Sequence, residues 1–187
     1  MIRIGYQGIR YSNSEEAALQ LANRLKIERF RLIPLVSSFN VLDNIESGNI
    51  DYGVIAYENS RGGKVTESVQ AMKFIKLKHV GDITIPIHHY LFVKNDLIKE
   101  DDILKIASHP QAFIQCRDTL NKYYPNTILI NDEDTATAAR KLALELFDEN
   151  TAVLCRKNAG IKNGLTLLKS YLEDRKDNTT TFKMFKK

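Results

Sequence analysis

The stretch HVGDITIPIHHYLFVK, residues 79–94, decides how the chain is laid out. Its apolar residues read as strand on both sides of Pro86, yet the run is roughly twice the five or six residues of a common strand. Pro cannot donate to a sheet ladder, so a proline inside such a run marks an edge or a break. The chain is therefore expected to leave one sheet near Pro86 and enter another. Outward from this point, strand-like runs alternate with helix-period segments in both directions, the pattern of an α/β protein with mostly parallel sheets.

Upstream, residues 2–6 read as a strand, and residues 14–26 predict a helix with Ala17, Ala18, Leu21, Ala22 and Leu25 on one face. Residues 30–35 are the next strand. In SSFNVLDNIESG, residues 37–48, Ser38 reads as the cap of a helix that buries Phe39, Val41, Leu42 and Ile45 and stops at Gly48. A strand at 52–56 and a helix at 66–76 follow. Downstream, the segments 103–124, 127–132, 133–147 and 151–160 build a second lobe, and residues 164–185 are expected to return to the first. The expected division is lobe 1 at 1–80 plus 163–187 and lobe 2 at 81–162. Two crossings leave a cleft between two lobes, a usual place for a small ligand.

With 187 residues, 43% of them hydrophobic, the chain has ample material for a core. It holds no run of eighteen apolar residues and enters a strand pattern at residue 2, so a cytoplasmic protein without a membrane segment is expected. The formal charge of +4 is mild, and the lysines are scattered or gathered at Lys183, Lys186 and Lys187. Without an aromatic-interleaved basic stripe, the partner expected is a small anion and not nucleic acid. Cys116 and Cys155 lack the paired spacing of a zinc or redox motif and read as reduced, partly buried thiols. His88 and His89 point to opposite faces of a strand, and no spacing of His, Asp or Glu demands a metal. No metal or cofactor is expected.

Small hydroxyl and amide residues gather where predicted helices begin: SNSEE at 12–16, SSFN at 37–40, ENSRGG at 58–63, SHPQ at 108–111 and DTAT at 134–137. A helix N-terminus offers unpaired N–H groups and partial positive charge, which suits a carboxylate. Capping alone explains any one of these junctions. In parallel α/β lobes, however, all fall at the carboxyl edge of the sheet, so together they suggest an anion site. Glu58 follows directly on an apolar strand and reads as an acid or base, as a group that holds its neighbours in place, or as a solvated carboxylate; Gly62 and Gly63 then free the backbone for a close approach. His109 stands just ahead of Pro110 at a first helical position, with Gln111 and Gln115 on one face, an arrangement that suits a polyoxygenated ligand. In KDNTTTF, residues 176–182, strand alternation puts Thr180 on a face with Phe182 and Met184, and Thr179, Thr181, Lys183 and Phe185 on the other. On pattern alone Thr180 is simply a strand former.

Five segments in order resemble the prephenate dehydratase family, which converts prephenate to phenylpyruvate with loss of water and carbon dioxide. SSFNVLDNIESGNIDYGVIAYENSRGGKV resembles the family's Ser-Phe block and its Glu-Asn-Ser signature, and ITIPIHHYLFV its Ile-x-His segment. ASHPQAFIQC resembles its Ser-His-Pro-Gln block, and LEDRKDNTTTF its closing Asp…Asn-x-Thr-Arg-Phe signature. The resemblance implies a two-lobed fold similar to type II periplasmic binding proteins. By position it implies that Thr180 is the catalytic threonine that protonates the departing ring hydroxyl. It implies further that Glu58, Asn59 and Ser60 form the site signature, that Ser108, His109 and Gln111 contribute substrate binding from the second lobe, and that Ser38 and Phe39 form a wall.

The family's first block is Gly-Pro-x-Gly followed by an aromatic and a serine; here GYQGIRYSNSEEAA keeps Gly5, Gly8 and either Ser12 or Ser14, without the proline. Ala56 replaces the usual proline before Glu-Asn-Ser. Thr181 stands where the family has arginine, leaving Arg10, Arg61 or a nearby lysine to supply that charge, and it joins Ser14 among the expected substrate-binding residues. The family commonly carries a C-terminal regulatory ACT domain, and the chain ends five residues after Phe182, so the resemblance implies a stand-alone catalytic domain. A homodimer is expected. The rival readings are an arogenate dehydratase or prephenate decarboxylase on the same scaffold, and a non-catalytic module that binds a small anion.

Overall fold

A computed structural model describes residues 1–74 and 76–187. It divides into two compact units, Met1–Ile87 with Asp177–Lys187, and His88–Lys176.

In unit 1 the strands β1 (Ile2–Tyr6), β2 (Phe30–Pro34), β3 (Tyr52–Asn59), β4 (Gly63–Lys64), β5 (Lys78–Pro86) and the last strand of the chain, β11 (Thr179–Lys186), form one sheet. The order is β2-β1-β3-β11-β5, with β4 paired to β3. β1 runs parallel to β2 and β3, while β11 runs antiparallel to both β3 and β5. Helix α1 (Asn13–Arg24) buries Ala17, Ala18, Leu21 and Ala22 against one face, together with Ile4, Val54, Ile85, Phe182 and Met184. Helices α2 (Ser38–Glu46) and α3 (Thr66–Ala71) cover another cluster, where Val41, Leu42, Ile45 and Ala71 meet Ile55 and Phe185. The helix expected over 66–76 ends its described part at Ala71, and Ile75 lies outside the described residues.

Unit 2 repeats the plan. β6 (Tyr90–Val93), β7 (Lys105–Ser108), β8 (Ile128–Asn131), β9 (Thr151–Cys155) and β10 (Thr166–Ser170) form a sheet of order β10-β6-β9-β7-β8. β7 is parallel to β8 and β9, and β6 is antiparallel to β9 and β10. In each sheet the inverted strand is the one reached by a crossing of the chain, β6 going out and β11 coming back.

The break expected at Pro86 is present: β5 ends there and β6 belongs to the other sheet. The division of the chain differs from the expected 80/81 and 162/163. β5 stays in unit 1 to its last residue because it pairs with β11 from Lys78 to Pro86. The segment from residue 163 stays in unit 2 because β10 pairs with β6, with Thr166 opposite Val93 and Ser170 opposite Tyr90. Only Asp177 onward returns.

Within the segment 103–124, β7 is followed by two helices, α4 (Pro110–Gln115) and α5 (Arg117–Tyr123). The Asp174 carboxylate accepts from the backbone N–H of Asp118 and Thr119, at 3.0 and 2.8 Å, and so satisfies the first amides of α5. The remaining helices are α6 (Thr135–Ala143) and α7 (Lys157–Lys162). Cys116 and Cys155 are buried and free, and burial pushes both thiols above their ordinary value. Among the described residues no helix is long and apolar enough to cross a membrane.

Candidate functional site

In unit 1, Thr180 sits opposite Asn59 on β3 and Ile85 on β5. It is 8% exposed and lies at the end of the apolar row that continues as Phe182 and Met184. The Asn59 carboxamide explains how its hydroxyl is held. Asn59 Oδ1 accepts from the backbone N–H of Arg61 and of Gly62, both at 2.9 Å, so the other end of the amide must be the NH2 group. Nδ2 then faces Thr180 Oγ1 and Asn178 Oδ1, each at 2.9 Å, and the Thr179 carbonyl at 3.1 Å. Thr180 Oγ1 is therefore an acceptor from Asn59, and its own proton is free to be given elsewhere.

Thr181 and Glu58 face the other way. Thr181 pairs with Glu58 and Thr84 across the sheet, and its hydroxyl meets the Thr84 hydroxyl at 2.8 Å. A register shift in β3 next to this pair adds Tyr57 to the same face, where Lys183 Nζ stands 4.0 Å from the ring centre. The exposed Glu58 carboxylate is thus separated by the sheet from the Thr180 hydroxyl. Of the cations expected to replace the arginine, Arg61 is paired with Asp177, just ahead of β11. Ser60 is committed to main chain: its Oγ accepts from Thr179 N–H at 2.9 Å and donates to the Asp177 carbonyl at 3.3 Å, fastening the start of β11 to the end of β3.

The helix N-termini are largely filled by the protein's own side chains. Ser37, not Ser38, caps α2, accepting from Asn40 N–H at 3.1 Å. Ser38 is the first helical residue, fully buried, with its hydroxyl 2.7 Å from that of Ser68. Its backbone N–H donates to Glu67 Oε1 at 3.1 Å, so an internal carboxylate occupies the position where a ligand's carboxylate was expected. Gln7 fixes Glu67 from the other side, donating through Nε2 at 2.8 Å. Phe39 beside it is exposed. Ser12 caps α1 by accepting from Glu15 N–H, and Ser14 is buried inside the helix. The loop ahead of α1 is held by Glu15, which accepts from Tyr6 Oη at 3.0 Å and from the backbone N–H of Tyr11. Tyr11 and Val36 take left-handed backbone, φ +68° and +63°, unusual for an aromatic and more so for a β-branched residue. Val36 exchanges backbone hydrogen bonds with Gly8, which joins the two loops.

In unit 2, His109 caps α4 through Nδ1, which accepts from Gln111 N–H at 3.1 Å; Pro110 is the first helical residue, as the sequence suggested. Gln111 is exposed, while Gln115 turns inward to His89, 2.7 Å from Nε2. Ser108 is fully buried and donates to the Leu154 carbonyl at 2.6 Å, a bond that locks β7 to β9. The Glu173 carboxylate is buried, accepts from His89 N–H at 2.9 Å and meets His88 Nδ1 at 2.7 Å. Burial pushes the His89 imidazole below its ordinary value, against the opposing effects of Gln115 and Glu173. Among the described residues no three His, Cys, Asp or Glu side chains gather as a metal site.

Sequence reasoning gave no role to Asn178, although the closing signature includes it, and missed Glu67 and the His89–Gln115–Glu173 cluster. The signals were present as a buried-strand flank at Asn178 and an acidic residue in the first turn of α3. Their partners lie 119, 29 and 84 residues away, beyond the reach of local pattern.

Each unit is a five-membered sheet path with one inverted strand, and this defines the class: an α/β protein with two mixed sheets. A periplasmic substrate-binding protein of an ABC transporter from Coxiella burnetii shares this fold at a TM-score of 0.50, with 15% identity over 97% of this chain and 84% of that one. Within the class the chain belongs to the prephenate dehydratase family, whose pattern it matches over residues 4–187. The prephenate dehydratase of Arthrobacter aurescens, solved in complex with L-Phe, superposes at a TM-score of 0.87, with 24% identity over all of this chain and 60% of that one. The arogenate dehydratase/prephenate dehydratase 2 of Arabidopsis thaliana is 30% identical over 183 residues, 98% of this chain. The chain spans 46% of that relative's length.

Proposed function

We propose that the chain catalyses the decarboxylating dehydration of prephenate to phenylpyruvate, with Thr180 as proton donor. The observation that carries this reading is the Asn59 Nδ2 to Thr180 Oγ1 bond, which leaves the threonine proton available in a nearly buried position. In the reaction the ring C–CO2 bond breaks and its electron pair enters the ring. The C–O bond breaks on the other side of the ring, and the hydroxyl leaves as water with the proton from Thr180. Aromatisation supplies most of the driving force, so little covalent catalysis is required. A threonine hydroxyl is a weak acid in water. Donation from Asn59 offsets the negative charge that grows on Oγ1 as the proton departs, and the β-branched side chain keeps its aim. The proton balance is one taken from solvent for each carbon dioxide and water released, which returns Thr180 to its starting state.

Substrate-binding roles for Ser14, Ser38, Phe39, Asn59, Ser60, Ser108, His109, Gln111 and Thr181 are part of the proposal through the family resemblance; Glu58, on the face of Thr181, enters it as a group that holds its neighbours and not as the acid. Within it, Ser38, Ser60 and Ser108 act by shaping backbone, since their hydroxyls are engaged within their own units. The Arabidopsis relative's name joins arogenate and prephenate, and this makes arogenate the second substrate to test. A dehydratase on either substrate delivers the proton to a leaving hydroxyl, whereas a decarboxylase delivers it to a ring carbon; the family resemblance at Thr180 supports the former. A cytoplasmic homodimer completes the proposal, and sedimentation at twice the 21.4 kDa chain mass would support the dimer.

The test is direct. The protein is incubated with prephenate, and separately with arogenate, and products are followed by ultraviolet absorbance and mass. Phenylpyruvate or phenylalanine supports dehydration. A non-aromatic decarboxylated acid replaces this reading with the decarboxylase, and intact substrate despite measurable binding replaces it with a binding module.

A further inference from the structure

Asn178 precedes β11 and is 2% exposed, one of the most buried polar side chains of unit 1. Its orientation is forced by a chain of hydrogen bonds that begins two residues beyond Asn59. The Arg61 and Gly62 N–H groups fix Asn59 Oδ1, which turns Asn59 Nδ2 toward Asn178. Two NH2 groups cannot face one another, so Asn178 presents Oδ1 to Asn59 and its own Nδ2 points away. That Nδ2 is buried and has no acceptor among the described residues. A flip of the amide would cure this orphan only by setting two donors together at 2.9 Å.

A buried donor without a partner is costly, and native structures rarely leave one unless water or a ligand completes it. The other end of the same amide, Asn178 Oδ1, shares Asn59 Nδ2 with the Thr180 hydroxyl, so the residue that carries the orphan neighbours the one group proposed to give a proton. Both residues offer hydrogens, Asn178 from Nδ2 and Thr180 from Oγ1, and neither offers an acidic group to repel an anion. We propose that Asn178 is a ligand-binding residue whose Nδ2 donates to an oxygen of the bound substrate's carboxylate. This rests on the reading of function given above. The main-chain carbonyl of Asn178 has a separate task, accepting from Ile87 N–H at 2.9 Å, so the side chain can be changed without removing that bond.

The variants Asn178→Asp and Asn178→Ala separate the donor from the scaffold. Asp keeps an oxygen for Asn59 and removes the donor; Ala removes both. Each is titrated calorimetrically with phenylpyruvate and assayed for turnover of prephenate. The expected result for Asn178→Asp is an increase of about tenfold or more in the Kd for phenylpyruvate and in the KM for prephenate. Because the acceptor for Asn59 is kept, kcat falls far less than KM rises. Asn178→Ala removes one acceptor of Asn59 as well, while the Arg61 and Gly62 N–H groups and the Thr179 carbonyl still hold that amide, so its kcat is expected to stay near that of Asn178→Asp. Should wild type turn over prephenate while Asn178→Asp keeps both Kd and KM, the donor serves only water or the fold; the proposal is overturned and the reading of function stands. Should wild type fail to turn over prephenate while Asn178→Asp weakens phenylpyruvate binding, the reading of function falls and the donor stands. No binding of either compound by wild type overturns both.

Discussion

Thr179, Thr180 and Thr181 are chemically identical and adjacent, yet the sheet gives them different work. Thr180 points into the apolar row of β11 and accepts from Asn59, whereas Thr181 points the other way and pairs with Thr84. Thr180→Ala is expected to lower kcat by about a hundred- to ten-thousandfold, the usual worth of a general acid, with KM changed only a few-fold. Thr181→Ala should lower kcat less than about threefold, because an exposed hydroxyl pair contributes little. Glu58→Gln should resemble Thr181→Ala, since Glu58 shares its face. Steady-state kinetics on prephenate checks all three, and a Glu58→Gln variant as dead as Thr180→Ala would move the acid to the opposite face. The alternation that sorts these threonines was legible in the sequence. The Asn59 bond was not, because the two residues are 121 positions apart and meet only through the β3–β11 register.

At the scale of elements, local pattern located most strands and helices but could not choose between equivalent neighbours. Ser37 and Ser38 are equally good caps by type; the choice of Ser37 coincides with a carboxylate from α3, Glu67, that takes the first amide of α2. Glu67→Ala should therefore destabilise unit 1 by about 1–2 kcal/mol, allowing for its partial exposure, and chemical denaturation would read the loss. Unchanged stability would show that water replaces the carboxylate without cost. β10 was misassigned for a related reason: an apolar strand carries no mark of which sheet it will join, and its partner β6 lies some seventy residues earlier. A tighter constraint acts in α7. A Cβ added at Gly160 would lie 2.4 Å from the ring of the fully buried Phe92, a rigid neighbour. Gly160→Ala is expected to cost about 1–3 kcal/mol, measured by thermal or chemical unfolding. A wild-type Tm would mean that the ring has room to turn.

At the scale of the whole chain, each unit is built from a long segment and closed by side chains near the crossings. Unit 2 begins at His88 and ends at Lys176, and the bonds from His88 and His89 to Glu173 tie its first residues to its last. His89 is the titrating weak point of that closure, because burial holds it neutral in the fold. Its folded value lies below its unfolded one, near 6.5, so at pH 7.5 neither state is protonated and the group is neutral in its effect. As pH falls through about 6.5 the unfolded chain takes up a proton that the folded chain does not. Stability then drops, with a slope approaching about 1.4 kcal/mol per pH unit, until the folded imidazole also titrates. His89→Gln keeps an amide that can donate to Gln115 and removes the titration. Thermal unfolding of both proteins at pH 7.5 and 5.5 isolates the contribution of His89, since the rest of the chain is common to the pair. The wild type should lose more Tm than His89→Gln over this interval. Equal losses would mean that His89 is protonated in the fold as readily as outside it, and that the Glu173 closure tolerates a charged neighbour.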